Sequence, residues 1–358
     1  MDKSSWSIIK WLPNEVLSEI VRLSGPRELA ILLRVAKLFN EIGIPLLYRN
    51  VHLNIIQGIL TAALSFKASV GRYPARARMI KSIRIQALDL ADAETKVFSD
   101  LMDDIQIITQ TLTPVILQLT NVQVFRMTCE FHETAFVSLL EMASFPKMHT
   151  LTLAFSNFIS APFISAFVDR HPTLCNLSLQ CGSFTSDDLP GLPVFHHIES
   201  LEHISAPFEY FIAAMPSARN LTSASIDFSV YEVPEIERTF AALAGSAVKD
   251  SVKTLACTTQ RSYKPLMQYI SALLPKIENL TIRSGHLLRF ASFDELSKLK
   301  HLKRFMHLTI DKDDDALRNA VDLVDDQLIH GLSPTLSLLK LYGTTWSRTN
   351  DDWIRAQR

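Results

Sequence analysis

The stretch Pro172-Thr173-Leu174-Cys175-Asn176-Leu177-Ser178-Leu179-Gln180 carries the spacing on which the fold turns: an aliphatic, two residues, an aliphatic, one residue, an aliphatic. Alternation over Leu177 and Leu179 predicts a strand with one buried face. The same spacing recurs at Met148-Leu151-Leu153, Ile277-Leu280-Ile282 and Leu336-Leu339-Leu341, and Pro146, Pro172, Pro275 and Pro334 each stand two residues before a copy. Weaker copies begin at Ile80, Val122, Ile198, Val252 and Leu302, and a degraded one at Ala218 keeps Pro216. Successive starts from 122 onward lie 26, 26, 24, 20, 34, 25, 25 and 34 residues apart. A recurrence near 25 residues marks a repeat array.

Between copies the apolar residues shift to three-and-four spacing. Helices are therefore expected over Thr134–Ala143, Pro162–Val168, Pro207–Ala214, Pro234–Leu243, Pro265–Leu274 and Ala316–Leu328. A strand and a helix in each period predict an α/β solenoid over 80–342, with parallel strands and outer helices. The interval from 80 to 122 exceeds one period, so Ala91–Leu119 reads as helix, linker or long insertion. Residues 51–79 read as linker or helix, and 343–358 as a C-terminal tail.

Composition supports a folded, helix-rich chain: 47% of the 358 residues are apolar, 20% are charged, 49 are Leu and only 10 are Gly. That balance excludes disordered and collagen-like chains. The net charge of -1 provides no overall basic field for nucleic acid or an anionic membrane, and neither is expected as a partner. Cys129, Cys175, Cys181 and Cys257 form no CxxC pair, which favours a reducing compartment. No apolar run reaches the ~18 residues of a membrane span, and Met1–Lys10 lacks a signal-peptide pattern. The expected location is cytoplasmic, nuclear or both.

The first fifty residues have a different grammar. Trp11-Leu12-Pro13-Asn14-Glu15-Val16-Leu17-Ser18-Glu19-Ile20-Val21 places Leu17, Ile20 and Val21 on one helical face, with Pro13 suited to a first turn. Ser24-Gly25-Pro26 stops that helix. A second helix is expected over Glu28–Phe39, and Pro45 opens a third apolar segment, Pro45-Leu46-Leu47-Tyr48, running into Val51-His52-Leu53.

Residues 11–50 resemble an F-box of the divergent fungal kind, within a small helical domain placed at 8–50. The family's opening is matched by Leu12, Pro13, Glu15, Val16, Leu17 and Ile20, its second helix by Leu29, Leu32, Val35, Lys37 and Phe39, and its close by Pro45, Leu46, Leu47 and Tyr48. Ala36 replaces the usual Cys or Ser. The resemblance implies that Leu12, Pro13, Val16, Leu17, Ile20, Leu29, Leu32, Val35, Phe39, Pro45, Leu46, Leu47 and Tyr48 bind a Skp-family adaptor and, through it, a cullin. The array resembles the leucine-rich repeats that often follow F-boxes, but Ser156, Gly182, Gly285 and Thr344 replace the consensus Asn or Cys at the ninth position. Irregular loops and variable curvature are therefore expected.

Strand alternation sends the residues between the aliphatics to the concave face. These are Arg126, Thr128, Thr152, Asn176, Ser178, Gln180, Asn279, Thr281, Arg283, Lys340 and Tyr342, the expected target-binding surface. The implied function is that of a substrate-recognition subunit of a ubiquitin ligase, with no catalytic residue, metal or cofactor of its own. Two rivals remain: a repeat scaffold outside any ligase, and an enzyme on an unfamiliar α/β fold.

Several chemical-looking motifs fall short. His132-Glu133 lacks a second histidine, since Phe136 stands there, and Asp311, Asp313 and Asp315 precede Ala316 where a calcium loop needs Gly. His196-His197 has no cysteine nearby. The sequons at Asn176, Asn220 and Asn279 read as repeat grammar. Arg72, Arg76, Arg78, Lys81 and Arg84 form a basic stretch that reads as solvated linker or as a contact for an anionic partner.

Overall fold

The computed structural model describes residues 13–35, 37–54, 60–87, 98–129, 134–155, 161–180, 194–228, 233–259, 264–285, 291–309, 332–341, 343–350 and 352–356. It divides into two compact units, residues 1–128 with 142–148, and residues 129–141 with 149–358.

The first unit opens with three helices, α1 (Asn14–Leu23), α2 (Pro26–Val35) and α3 (Lys37–Arg49). Leu17, Val21, Leu29 and Phe39 form their core, with Leu32, Leu33, Leu38, Ile42, Leu46 and Leu47 packed around it. The expected second helix ends earlier, at Val35, and Phe39 belongs to the third. Pro45 lies inside α3 and opens no new segment. An interior proline costs ~3 kcal/mol, but Phe39, Ile42 and Leu46 continue one apolar face across it, and each large side chain buried returns ~1.5–3 kcal/mol. At Gly43 α3 lies tight against α2, since a Cβ there would lie 2.6 Å from Leu33 Cδ2 and 2.9 Å from Leu29 Cδ1. Gly43→Val is expected to cost about 1–3 kcal/mol through overpacking, read as a lower denaturation midpoint.

Within 51–79 the described residues are mostly regular structure. The stretch carries part of β1 (Asn50–Asn54), then α4 (Leu60–Arg72) and α5 (Ala75–Met79), and β1 runs parallel to β2 (Ser82–Ala87) with His52 opposite Arg84. The strand layer thus begins at residue 50, ahead of the expected start at 80. Tyr48 and Ser69 share a 2.6 Å hydroxyl hydrogen bond, and Arg76 donates to both at 2.9 and 2.8 Å. The Arg76 guanidinium also lies over the rings of Tyr48 and Tyr73, 4.9 and 4.0 Å from their centroids. These contacts fasten α3 to α4 and α5. In the long interval, α6 (Phe98–Ile116) packs on α4 ahead of β3 (Val124–Cys129), so the excess length holds an outer helix.

The second unit holds α7 (Thr134–Met142), β4 (Thr150–Phe155), α8 (Ala161–Asp169), β5 (Asn176–Gln180), β6 (His203–Pro207), α9 (Phe208–Ala214), β7 (Ser223–Phe228), α10 (Val233–Gly245), β8 (Thr254–Thr259), α11 (Lys264–Leu273), β9 (Asn279–Ser284), α12 (Ala291–Lys298), β10 (Arg304–Thr309), β11 (Leu338–Leu341), β12 (Thr344–Thr349) and β13 (Asp352–Arg355). β4 to β11 pair in chain order and all in parallel. Five of the expected helices appear. The sixth, Ala316–Leu328, lies outside the described residues.

A recurring turn explains the prolines. The Met148, Leu174, Ile277 and Leu336 N–H groups donate to the carbonyls of Phe145, His171, Leu274 and Ser333, at 2.9 to 3.2 Å. The proline is the second residue of each turn, where its fixed φ is already suitable. Leu302 makes the same turn to Leu299 without a proline, and so does Leu201 to Ile198. That last bond corrects a repeat boundary. Ile198, Leu201 and Ile204 are spaced three apart and all buried, so the first two aliphatic positions of the repeat fit two frames, although the third is His203 in one and Ala206 in the other. Pairing of Leu177 with Ile204 selects the copy starting at Leu201, and pairing of Ile204 with Ala224 moves the next start from Ala218 to Leu221.

Register is held by a second recurring device. The carbonyl of His149 accepts from both Cys175 and Asn176, that of Cys175 from Glu202 and His203, and that of Glu202 from Thr222 and Ser223. The series continues through Thr222, Lys253, Glu278 and Lys303. Each repeat fixes the next through one doubly bonded carbonyl.

Residues 343–358, read as a tail, contain β12 and β13, which continue the sheet in antiparallel fashion after β11. Gly343 (φ 77°) and Asn350 (φ 51°) supply the positive φ that two-residue hairpins require. Trp346 on β12 is 1% exposed. The hairpin covers the edge of the parallel stack, as terminal capping elements do.

Candidate functional site

Each unit carries a surface that the sequence singles out. On the helical trio the residues expected to meet an adaptor divide by burial. Leu17, Leu29 and Phe39 are the trio's own core, and Leu32, Leu46 and Leu47 are partly buried around it. Tyr48 is engaged by Ser69 and Arg76. Pro13 and Pro45 are exposed, and Leu12 lies outside the described residues. Val16 and Ile20 are 42% and 39% exposed, and the sequence reading missed Leu23, a helical turn further on, at 73%. These three form one row along α1. On α2, Val35 is 36% exposed and Ile31, also missed, 65%. Helical periodicity puts Ile20 on one face with Leu17 and Val21, and only packing shows that the interior takes Leu17 and Val21 and leaves Ile20 exposed.

In the second unit the strand residues pointing away from the aliphatic core line up in rows. The register brings Thr152, Ser178, Ser205, Ser225, Ala256 and Thr281 side by side on six consecutive strands, followed by Met306 and Lys340. All eight are half-buried. Five of the first six carry hydroxyls, Ala256 being the exception, in a strip roughly 24 Å long at the usual strand spacing. Gln180 and Arg283 are exposed on one flank, with Asp227 in the same row. On the other flank, Asn176 Nδ2 donates to Thr150 Oγ1 at 3.4 Å and Asn279 Nδ2 to Thr254 Oγ1 at 3.3 Å, so two sequon amides bond to neighbouring strands. Tyr342 lies outside the described residues, and Arg126 and Thr128 belong to the first unit. Ser205 and Ser225 were missed because starts at Ile198 and Ala218 place other residues on this face.

Among the described residues, no group of three or more His, Cys, Asp and Glu side chains could hold a metal ion. His132-Glu133 and Asp311 to Asp315 lie outside them. His196 and His197 are exposed, and their backbone N–H groups donate to Asp169 Oδ1 at 2.7 and 3.2 Å. Burial pushes the Cys257 thiol well above its ordinary range, as fits a core apolar on β8. A hydrogen bond from Lys303, with the charge of Lys253 beside it, holds the half-buried Glu278 carboxyl below its ordinary value. No described helix is long and apolar enough to cross a membrane.

His171 is buried before β5, and its Nδ1–H donates to the Phe167 carbonyl at 2.7 Å. Burial, aided by the charge of Arg170, lowers its pKa, while the bond to Phe167 opposes the shift. The unfolded chain binds this proton more readily, so the contribution of neutral His171 to stability is whole above about pH 6.5 and declines as pH falls below it. Melting temperatures between pH 7.5 and 5 are expected to fall less steeply for His171→Leu than for the wild type.

No protein-family model matches the chain, and no curated protein matches it. Among solved structures, a Bacteroides fragilis protein determined by a structural genomics consortium aligns over 75% of this chain and 81% of its own, at 13% identity and a TM-score of 0.42.

Proposed function

We propose that this chain is a substrate-recognition subunit of a Skp–cullin–F-box ubiquitin ligase, working in the cytoplasm, the nucleus or both. The helical trio would seat the Skp-family adaptor, and the strand face would hold a target protein. The chain would contribute no nucleophile or cofactor, because holding a target lysine near a charged ubiquitin-conjugating enzyme is itself the catalytic contribution. One observation carries the reading. The trio has its own core, yet leaves Val16, Ile20 and Leu23 in a bare row on α1, and Ile31 and Val35 on α2. Exposed by 36–73%, the five together amount to about two and a half fully exposed side chains, so burying them contributes roughly 4–8 kcal/mol, within the range of an association cost of ~4–15 kcal/mol.

Affinity purification of the intact chain from its native cells, followed by mass spectrometry, tests the reading. A Skp-family adaptor and a cullin are expected among the partners, and a partner set lacking both would exclude the ligase role. Truncation before Gly71 is a poor control because it removes β1 and most of α4.

A further inference from the structure

β1, β2 and β3 are adjacent in the first unit, and their polar face differs in charge from the hydroxyl strip of the second. His52 pairs directly with Arg84. Gln123 and Val124 both donate to the Lys81 carbonyl, the same pair of bonds that sets Asn176 opposite Thr150 between β4 and β5. Arg126 therefore stands opposite Arg84, and His52, Arg84 and Arg126 form one row across three strands, all exposed. The sequences of these strands, NVHLN, SIRIQA and VFRMTC, contain no Asp or Glu. Among the described residues, neither Arg84 nor Arg126 takes part in an ion pair. Like charges directly opposite on neighbouring strands destabilise a sheet. Among the described residues nothing compensates for this pair, and in the second unit the equivalent row stays uncharged from Thr152 to Met306.

We infer that the β1–β3 face is a phosphate-binding site that takes a phosphorylated side chain within an extended segment of a target protein. Two guanidinium forks about 4.8 Å apart at their backbones present several N–H donors to one dianion with three acceptor oxygens, a better match than a single carboxylate. Asn54, Gln86 and Thr128 occupy the next row on the same face, and Gln86 Oε1 lies 3.1 Å from His52 Nε2. Their amide and hydroxyl groups suit the backbone of a bound segment. A nucleic acid fits less well, because among the described residues of these strands no Phe, Tyr or Trp shares this face for base stacking, and the net charge of -1 gives no overall basic field. The inference deepens the target-binding half of the proposed function and is independent of the adaptor row on α1 and α2.

Fluorescence polarisation on the full chain tests it, with a labelled peptide pool carrying one fixed phosphothreonine in degenerate flanks. The same pool with threonine and a labelled single-stranded oligonucleotide complete the set. The phosphorylated pool is expected to bind about tenfold or more tightly than the other two, and Arg84→Ala/Arg126→Ala to abolish that preference. The double variant should melt at or above the wild-type temperature, since the repulsion is gone. Equal binding of the two peptide pools, stronger binding of the oligonucleotide, or an unchanged preference in the double variant would overturn the inference. A marked drop in its melting temperature would assign the arginines a structural role and overturn it as well. None of these readouts involves the adaptor, so failure here leaves the adaptor reading intact.

Discussion

The double variant Val16→Asp/Ile20→Asp is expected to lose the Skp-family adaptor in co-purification while melting within about 2 °C of the wild type. Both side chains are substantially exposed on α1 and stand outside the core of Leu17, Val21, Leu29 and Phe39. Two carboxylates there add little cost to the free chain but have to be desolvated without partners in a complex, a large penalty. Leu17→Asp also removes binding, but for another reason. Leu17 is 0% exposed, and a charge in its place unfolds the trio. The melting temperature separates the two effects. Retention of the adaptor by the double variant would show that α1 is not the contact.

Trp346→Ala is expected to destabilise the chain by about 3–5 kcal/mol in urea denaturation, and Trp346→Phe by distinctly less. Trp346 pairs with Leu339 of β11 on one side and Arg355 of β13 on the other, and is among the largest fully buried side chains. Its removal opens a cavity where the antiparallel hairpin closes the parallel stack. In a repeat array each element leans chiefly on its neighbours, so the loss should appear first as fraying of β9 to β11. A C-terminal segment that merely trailed from the fold would predict almost no change.

The sequence discloses most of the strand layer because two independent signals coincide there, the aliphatic spacing and the prolines at the preceding turns. It becomes ambiguous where the signals separate. Ile198, Leu201 and Ile204 supply the first two aliphatics of two overlapping frames, only a small residue, Ala206, against His203 separates the third position, and no proline stands before Leu201 to choose between them. The strand at Asn50–Asn54 is hidden because its preceding turn is replaced by α3, whose apolar face runs through Pro45. The hairpin after β11 uses Gly343 and Asn350 as turn residues, yet its strands Thr344–Thr349 and Asp352–Arg355 carry few aliphatics. Trp346 alone supplies much of the burial. The candidate surfaces divide in the same way. Alternation identifies Thr152, Ser178 and Thr281 one strand at a time. The opposition of Arg84 and Arg126 depends on a register between residues 42 positions apart, and the bare row Val16, Ile20 and Leu23 depends on how many apolar side chains three short helices can enclose.

Backbone hydrogen exchange of the intact chain, alone and with a purified Skp-family adaptor, tests the central claim most directly. Slower exchange confined to α1 and α2, with the strands β4 to β11 unchanged, is the predicted result. No protection anywhere in the trio at saturating adaptor, or protection on the strand face in its place, would contradict the division of labour proposed here.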